Sequence, residues 1–354
     1  MRLKIEKRTT IPPITRAFSM ILAIIVALAM SSVLFNMAGV DPLMAYASLF
    51  YGAFGSIYGI SETIMKTTPL LLIGLGICIA FRSKIWNIGG EGQYLMGAII
   101  ATVIGVFFNS IPSPLLILTI ILASFFTSAL WGALAGLLKA KLEVNEIIVT
   151  IMLNYIAIYF LYYLIRGPFK DQTIVGGFPQ SPPIGNSAKL PTIFPESRIN
   201  LGIIIAIAIA ILVYVLLFRT TLGYKIRIVG LNPVAANYGG ISVTKITILS
   251  MFISGGLAGI AGAIEICGVH GRLLDGIVAG YGYIGIVVAL LGELHPVGTI
   301  LSAIFFGAMI VGMQEMQRAI RVPLAFIQSM EGLIIILVLV TSLIMQYKIT
   351  FKKE

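Results

Sequence analysis

FRSKIWNIGGEGQYLMGA, running from Phe81 to Ala98, breaks a chain otherwise built of long apolar runs, and its reading decides the fold. Four glycines (Gly89, Gly90, Gly92, Gly97) stand with Asn87, Glu91 and Gln93 between two stretches long enough to cross a bilayer. Glycine loosens a helix, and polar groups in hydrocarbon need partners. Irregular backbone at membrane depth is tolerated only where protein buries it or where it lines an aqueous path. The segment is therefore either a bend beside a pathway or a seam of tight packing through small residues.

The remainder of the chain supplies the membrane protein that both readings need. Of 354 residues, 58% are hydrophobic and 11% charged, with a mean hydropathy of +1.03. Apolar runs of about twenty residues recur to the end, more apolar surface than a soluble core could hide. Ten candidate spans fall near 18–40, 62–81, 93–109, 115–138, 145–165, 200–218, 243–265, 281–293, 297–313 and 325–346. The eighth is too short to cross about 30 Å of hydrocarbon as a straight helix, so it is expected to be broken, re-entrant or shielded. Residues 41–61 suit an interfacial helix on the far side, with an eleventh span as the competing reading. The first run follows a basic stretch, MRLKIEKRTT, but lacks a small-residue cleavage site and reads as a retained helix. Cys78 and Cys267 lie inside apolar runs and read as packing residues.

Basic residues orient the chain. With the N-terminus cytoplasmic, the inside segments hold sixteen of the 24 Lys and Arg residues, which places both termini inside. Four of the others sit in or beside the polar connection 167–199, which this orientation makes extracellular. The net charge of +10 is mostly this topology signal and calls for no nucleic-acid partner.

A second glycine-rich break, GVHGRLLDGIVAGYGYIGIVVALLGELHPVG, runs from Gly268 to Gly298. Interrupted helices in corresponding places of two halves are expected where two repeats face each other across a central path. Residues 62–165 and 243–346 would be those repeats, inverted because the second and seventh spans run in opposite directions. The expected fold is thus all-α and polytopic: a single transmembrane domain over 1–354, with about ten helices, two inverted repeats and broken or re-entrant helices.

No zinc-protease, Walker A or nucleophile-elbow motif is present, and the two histidines, His270 and His295, are far apart in sequence, so no catalytic or metal site is expected. Glu62 and Lys66 start the second span and Glu146 the fifth, whereas Glu91, Glu265 and Glu293 are central enough to be functional by default.

The loop RTTLGYKIRIVGLNPVAANYGGI, from Arg219 to Ile241, is basic and punctuated by Gly223, Gly230, Asn232-Pro233 and Gly239-Gly240. Asn232 as N-cap and Pro233 in the first turn predict a short helix with Ala235, Ala236 and Tyr238 exposed, a shape that plugs into a groove on another protein.

Four segments carry a family resemblance: GLGICIAFRSKIWNIGGEGQYLMGA (Gly74 to Ala98), NEIIVTIMLNYIA (Asn145 to Ala157), YKIRIVGLNPVAANYGGIS (Tyr224 to Ser242) and YGYIGIVVALLGELHPVG (Tyr281 to Gly298). Together they resemble the permease subunits of ATP-binding-cassette importers, in the nucleoside and simple-sugar branch related to ribose and branched-chain amino-acid permeases. Gly90 and Leu294-His295-Pro296 depart from relatives in detail. The resemblance implies that the chain binds no nucleotide itself, with ATP and Mg held by a partner ATP-binding subunit. It also implies a second permease, homologous or identical, an extracellular substrate-binding lipoprotein, and residence in the cytoplasmic membrane. Gly223, Tyr224, Arg227, Gly230, Asn232, Ala235, Ala236 and Tyr238 then form the coupling element on the ATPase. The implied solute is a nucleoside, of the purine class, with a simple sugar as the alternative within the family; apart from the resemblance, an ion-coupled secondary transporter using Glu91, Glu265 or Glu293 as its ion site is the competing reading. A neutral polar solute needs hydrogen-bonding groups and aromatic faces along its path, which makes Asn87, Glu91, Gln93, Asn154, Tyr155 and Glu265 the candidates.

Overall fold

A computed structural model describes residues 2–7, 13–37, 39–173, 177–194, 197–345 and 347–352. Arg8 and Lys353, counted in the orientation above, and residues 174–176 and 195–196 of the polar connection lie outside the described residues. The helices in chain order are α1 (Pro13–Met37), α2 (Pro42–Phe54), α3 (Ile57–Arg82), α4 (Gly90–Phe107), α5 (Ser113–Leu142), α6 (Glu146–Arg166) and α7 (Gly202–Arg219). They continue with α8 (Thr221–Leu231), α9 (Pro233–Tyr238), α10 (Val243–Glu265), α11 (Tyr281–Leu291), α12 (Pro296–Ile320) and α13 (Leu324–Met345). Two terminal strands, β1 (Arg2–Lys7) and β2 (Tyr347–Lys352), pair antiparallel; nothing in the hydropathy pattern announced them.

Every expected span is a helix, but among the described residues seven helices are long and apolar enough to cross a membrane, or eight if α1 and α2 count as one bent span. Length and composition thus support a polytopic all-α fold without confirming the figure of about ten. α2 has 13 residues, about 20 Å at 1.5 Å per residue, too short to cross alone. Asp41 starts it by accepting the Leu43 N–H at 2.9 Å, with Pro42 in the first turn. α11 has 11 residues, about 16 Å or half of the hydrocarbon thickness.

The chain divides into two compact units, residues 60–308 and residues 1–59 with 309–354. In the smaller unit α1 packs against α13, and Gly52 and Gly312 let α2 lie close to the second part of α12. In the larger unit α10 packs against α5 and α4. That contact is glycine-mediated: a Cβ on Gly97 would strike the Gly259 backbone, so α4 and α10 touch main chain to main chain. Serines complete the seam, with Ser124 Oγ donating to the Gly97 carbonyl at 3.0 Å and Ser128 Oγ to the Gln93 carbonyl at 2.7 Å.

Candidate functional site

The Phe81 to Ala98 segment resolves into the end of α3, a seven-residue non-helical stretch (Ser83–Gly89) and the start of α4. Its polar groups are buried and engaged. Asn87 Nδ2 donates to Gln93 Oε1 at 3.0 Å and to Ser254 Oγ at 2.9 Å, while its Oδ1 accepts from the Gly89 N–H at 2.9 Å and from Gln93 Nε2 at 3.1 Å. Asn154 of α6 accepts the Gly92 N–H at 2.8 Å and donates to the Ile88 carbonyl at 2.9 Å and Tyr283 Oη at 3.2 Å. These residues replace the hydrogen bonds that the missing helical turn would have made.

Glu91 ties this break to the second one. Its side chain is fully buried, and its two oxygens accept the Gly280 N–H at 3.0 Å and the Gly282 N–H at 2.7 Å. Those amides belong to the start of α11, where Gly280 takes a left-handed conformation (φ 76°) that a side chain would strain. A Cβ on Gly282 would strike the Glu91 backbone, so the N-termini of α4 and α11 are in direct contact. Two positive dipole ends face each other there, and the one carboxylate between them offsets both. The two interrupted helices marked by glycine in the sequence thus meet at one point.

Glu265 closes α10, beyond which Ile266–His270 forms a π turn ending at left-handed Gly271 (φ 65°). The wider turn carries His270 back over Glu265, with Nε2 and Oε1 3.2 Å apart. Lys66 Nζ lies 3.9 Å from the same oxygen and donates to Tyr281 Oη at 2.7 Å. The structure does not bring Tyr155 to these groups: it is 50% exposed on the outer face of α6 with Met152 and Tyr159. Lys66, His270 and Tyr281 were not among the sequence candidates, although an intramembrane lysine was itself a signal.

The connection between α6 and α7 is strapped along the segment that follows α10. Ser181 N–H donates to the Leu273 carbonyl, Ile184 N–H to Gly271 and Leu190 N–H to Cys267, each at 2.9 Å.

At Arg219 to Ile241 the expected loop is mostly helical. α8 is capped by Thr220, whose hydroxyl accepts the Gly223 N–H at 3.1 Å, and Asn232 caps α9 by accepting the Val234 and Ala235 N–H groups at 3.0 and 3.1 Å. Tyr238 is 90% exposed, and Tyr224, Val234 and Ala235 also face outward. Ala236, expected on the outside, is buried at 1% exposure because a helix of six residues must turn one side onto its support. Gly223, Gly230 and Arg227 face inward too. A Cβ on Gly230 would strike the Arg82 carbonyl, and Arg227 donates to the Leu217 carbonyl and lies over Phe218. Arg82 covers the same ring and donates to the Leu294 carbonyl at 2.7 Å. α8 is thereby bolted to the end of α3.

Membrane-spanning helices, a junction of broken helices within them and a capped helix presented outside define a helical membrane transport component. The chain matches the family described as branched-chain amino acid transport system / permease component over residues 59–343 and belongs to it. It is 38% identical over 323 residues to a guanosine ABC transporter permease of Bacillus subtilis (90% of this chain, 91% of that one). It is 33% identical to a nucleoside ABC transporter permease of Lactococcus lactis (86% and 84%) and 31% identical to a glucose ABC transporter permease of Haloferax volcanii (99% and 94%). No solved structure matches it. The chain is thus a multi-pass permease component of an ATP-binding-cassette importer and not itself an enzyme. It works with an ATPase partner that handles ATP and Mg and with a substrate-binding protein. Membership sets aside the ion-coupled alternative.

Proposed function

We propose that this permease carries a purine nucleoside into the cell. The supporting observation is its 38% identity, over most of both chains, to a guanosine permease. The 31% identity across nearly the whole chain to a glucose permease favours a simple sugar as the second reading.

Both termini and the 219–241 element lie on the cytoplasmic side in this reading, and the 167–199 connection faces outward to the substrate-binding lipoprotein. α9 docks on the ATPase through Tyr238, Val234 and Ala235, with Tyr224 beside them. Arg227, Gly223, Gly230 and Ala236 hold the element to the permease, while Asn232 fixes its shape. The contact of α8 with Arg82 supports a route for the stroke: α3 runs from there to Lys66, sixteen residues or about 24 Å along the same helix. Residues 62–165 and 243–346 act as inverted repeats, meeting where Glu91 joins α4 to α11. Asn87, Glu91, Gln93 and Asn154 frame the pathway, Glu265 faces it, and Tyr155 looks toward lipid or the second permease, a homologous chain.

The test is uptake into proteoliposomes holding this chain, the second permease, the ATPase and the binding protein. ATP-dependent guanosine uptake is expected, with loss in Tyr238→Ala alongside loss of ATPase association. Full association and uptake in Tyr238→Ala combined with Val234→Asp would remove the coupling assignment.

A further inference from the structure

The cluster around Glu265 draws polar groups from three elements: Lys66 of α3, Glu265 at the end of α10 with His270 closing its π turn, and Tyr281 at the head of α11. Its hydrogen bonding is incomplete. Glu265 is 2% exposed, yet Oε1 makes no aligned hydrogen bond, although His270 and Lys66 lie within 3.2 and 3.9 Å. Tyr94, fully buried and edge-on to Tyr281 at 5.9 Å between ring centroids, has a hydroxyl with no partner among the described residues. Buried polar atoms are nearly always satisfied, so an acceptor held only by ion-pair contacts and a hydroxyl without a partner in one neighbourhood point to a group that bonds there and is not part of the chain. The rim is open to it, since the side chains of Lys66 and His270 keep 16% and 26% exposure. A π turn in a helix and ionisable residues within spans both mark functional positions.

We propose that Lys66, Glu265, His270 and Tyr281 read the vicinal diol of a sugar ring as the solute passes. The donor and acceptor pattern selects this chemistry. A carboxylate with open lone pairs accepts from one hydroxyl, and the ammonium or imidazole N–H donates to its neighbour. Lys66 and Glu265 offset each other's charge, so the pair offers no spare positive charge for a phosphate or a carboxylate and suits a neutral solute. Passage also requires contacts that release, and a pair of hydroxyls on a partly exposed rim meets that need. A vicinal diol is common to guanosine and glucose. The inference rests on the nucleoside-or-sugar reading and adds the moiety that is read and the residues that read it.

The test uses the complete transporter in proteoliposomes, with guanosine or 2′-deoxyguanosine at concentrations that saturate the binding protein, so that its own preference drops out. Wild type is expected to move guanosine about tenfold faster than the deoxy compound, the size of one lost hydrogen bond to a charged group. Glu265→Gln should cut guanosine uptake by about the same factor and leave 2′-deoxyguanosine within about twofold, removing the preference. Binding-protein-stimulated ATP hydrolysis verifies assembly of the variant, and His270→Gln repeats the comparison if Glu265→Gln does not assemble. Equal loss for both solutes would assign the cluster to packing, and no loss would assign its open valences to water; either overturns the proposal. If the solute is a hexose, glucose is compared with its deoxy forms at each ring position, and absence of any lost discrimination overturns it likewise. Wild type that carries neither nucleosides nor glucose would overturn the underlying reading instead.

Discussion

Replacing Glu91 with glutamine should loosen the junction of α4 and α11 before any solute is involved. The carboxylate accepts two backbone N–H groups, at 3.0 and 2.7 Å, in full burial. An amide of the same shape keeps one acceptor and turns an NH₂ toward the other N–H. One charge-assisted bond becomes an ordinary one and the second becomes donor facing donor; bonds to charged groups contribute about 1.5–3 kcal/mol and neutral ones about 1 kcal/mol. The apposed helix N-termini also lose their counter-charge, up to about 2 kcal/mol where the geometry is buried. Relief of the carboxylate's desolvation acts in the opposite direction and reduces the total. The net expectation is a loss of about 2–4 kcal/mol, with Glu91→Ala at or above the upper end because both amides are left unpaired. Equilibrium unfolding of the purified permease in mixed micelles of increasing dodecyl sulfate content, without solute, reads this directly. A change within about 0.5 kcal/mol, the range of an ordinary surface substitution, would refute the bridging role.

Further outcomes follow from the same contacts. Gly97→Leu drives a side chain into the Gly259 backbone and should destabilise the fold by about 1–3 kcal/mol or more in the same unfolding assay. Asn232→Ala removes the cap of α9 and should cost about 1 kcal/mol locally, seen as faster amide exchange at Val234 and Ala235 and weaker ATPase association. Tyr238→Ala should leave unfolding unchanged within about 0.5 kcal/mol, because the side chain is 90% exposed, while lowering association. His295, in the turn between α11 and α12, is held below the usual 6.5 by desolvation against its neighbours and by nearby Arg82. Depressed titration means that its contribution is complete above the unfolded value and is lost as pH falls through the folded one. Stability should therefore decline from about pH 6.5 downward, and His295→Phe should flatten that part of the profile.

The helices were legible because each apolar run announces itself, and the α9 cap because Asn-Pro is a local signal. The two glycine-rich breaks were visible as departures from helix, but their meeting was not. The bond from Glu91 to Gly280 and Gly282 spans about 190 positions in the chain, and no periodicity encodes it. For the same reason Lys66 looked like an interface residue at the start of a span, whereas folding sets it against Tyr281. Tyr155 and Asn154 are adjacent in sequence, and the helical turn of about 100° sends one outward and the other to Gly92. In the 219–241 segment, sequence predicts a capped helix but not which of its faces is covered. The burial of Ala236, Gly223 and Gly230 depends on which helix lies beneath them, and that is a tertiary fact.

ATP-driven uptake by the assembled transporter is the most direct measurement of the permease's role. Vesicles containing this chain, the second permease, the ATPase and the binding protein should accumulate guanosine only when ATP is available to the ATPase, and should stop when Tyr238 and Val234 are replaced. Accumulation that proceeds without ATP under an ion gradient, or that is indifferent to those two side chains, would contradict it.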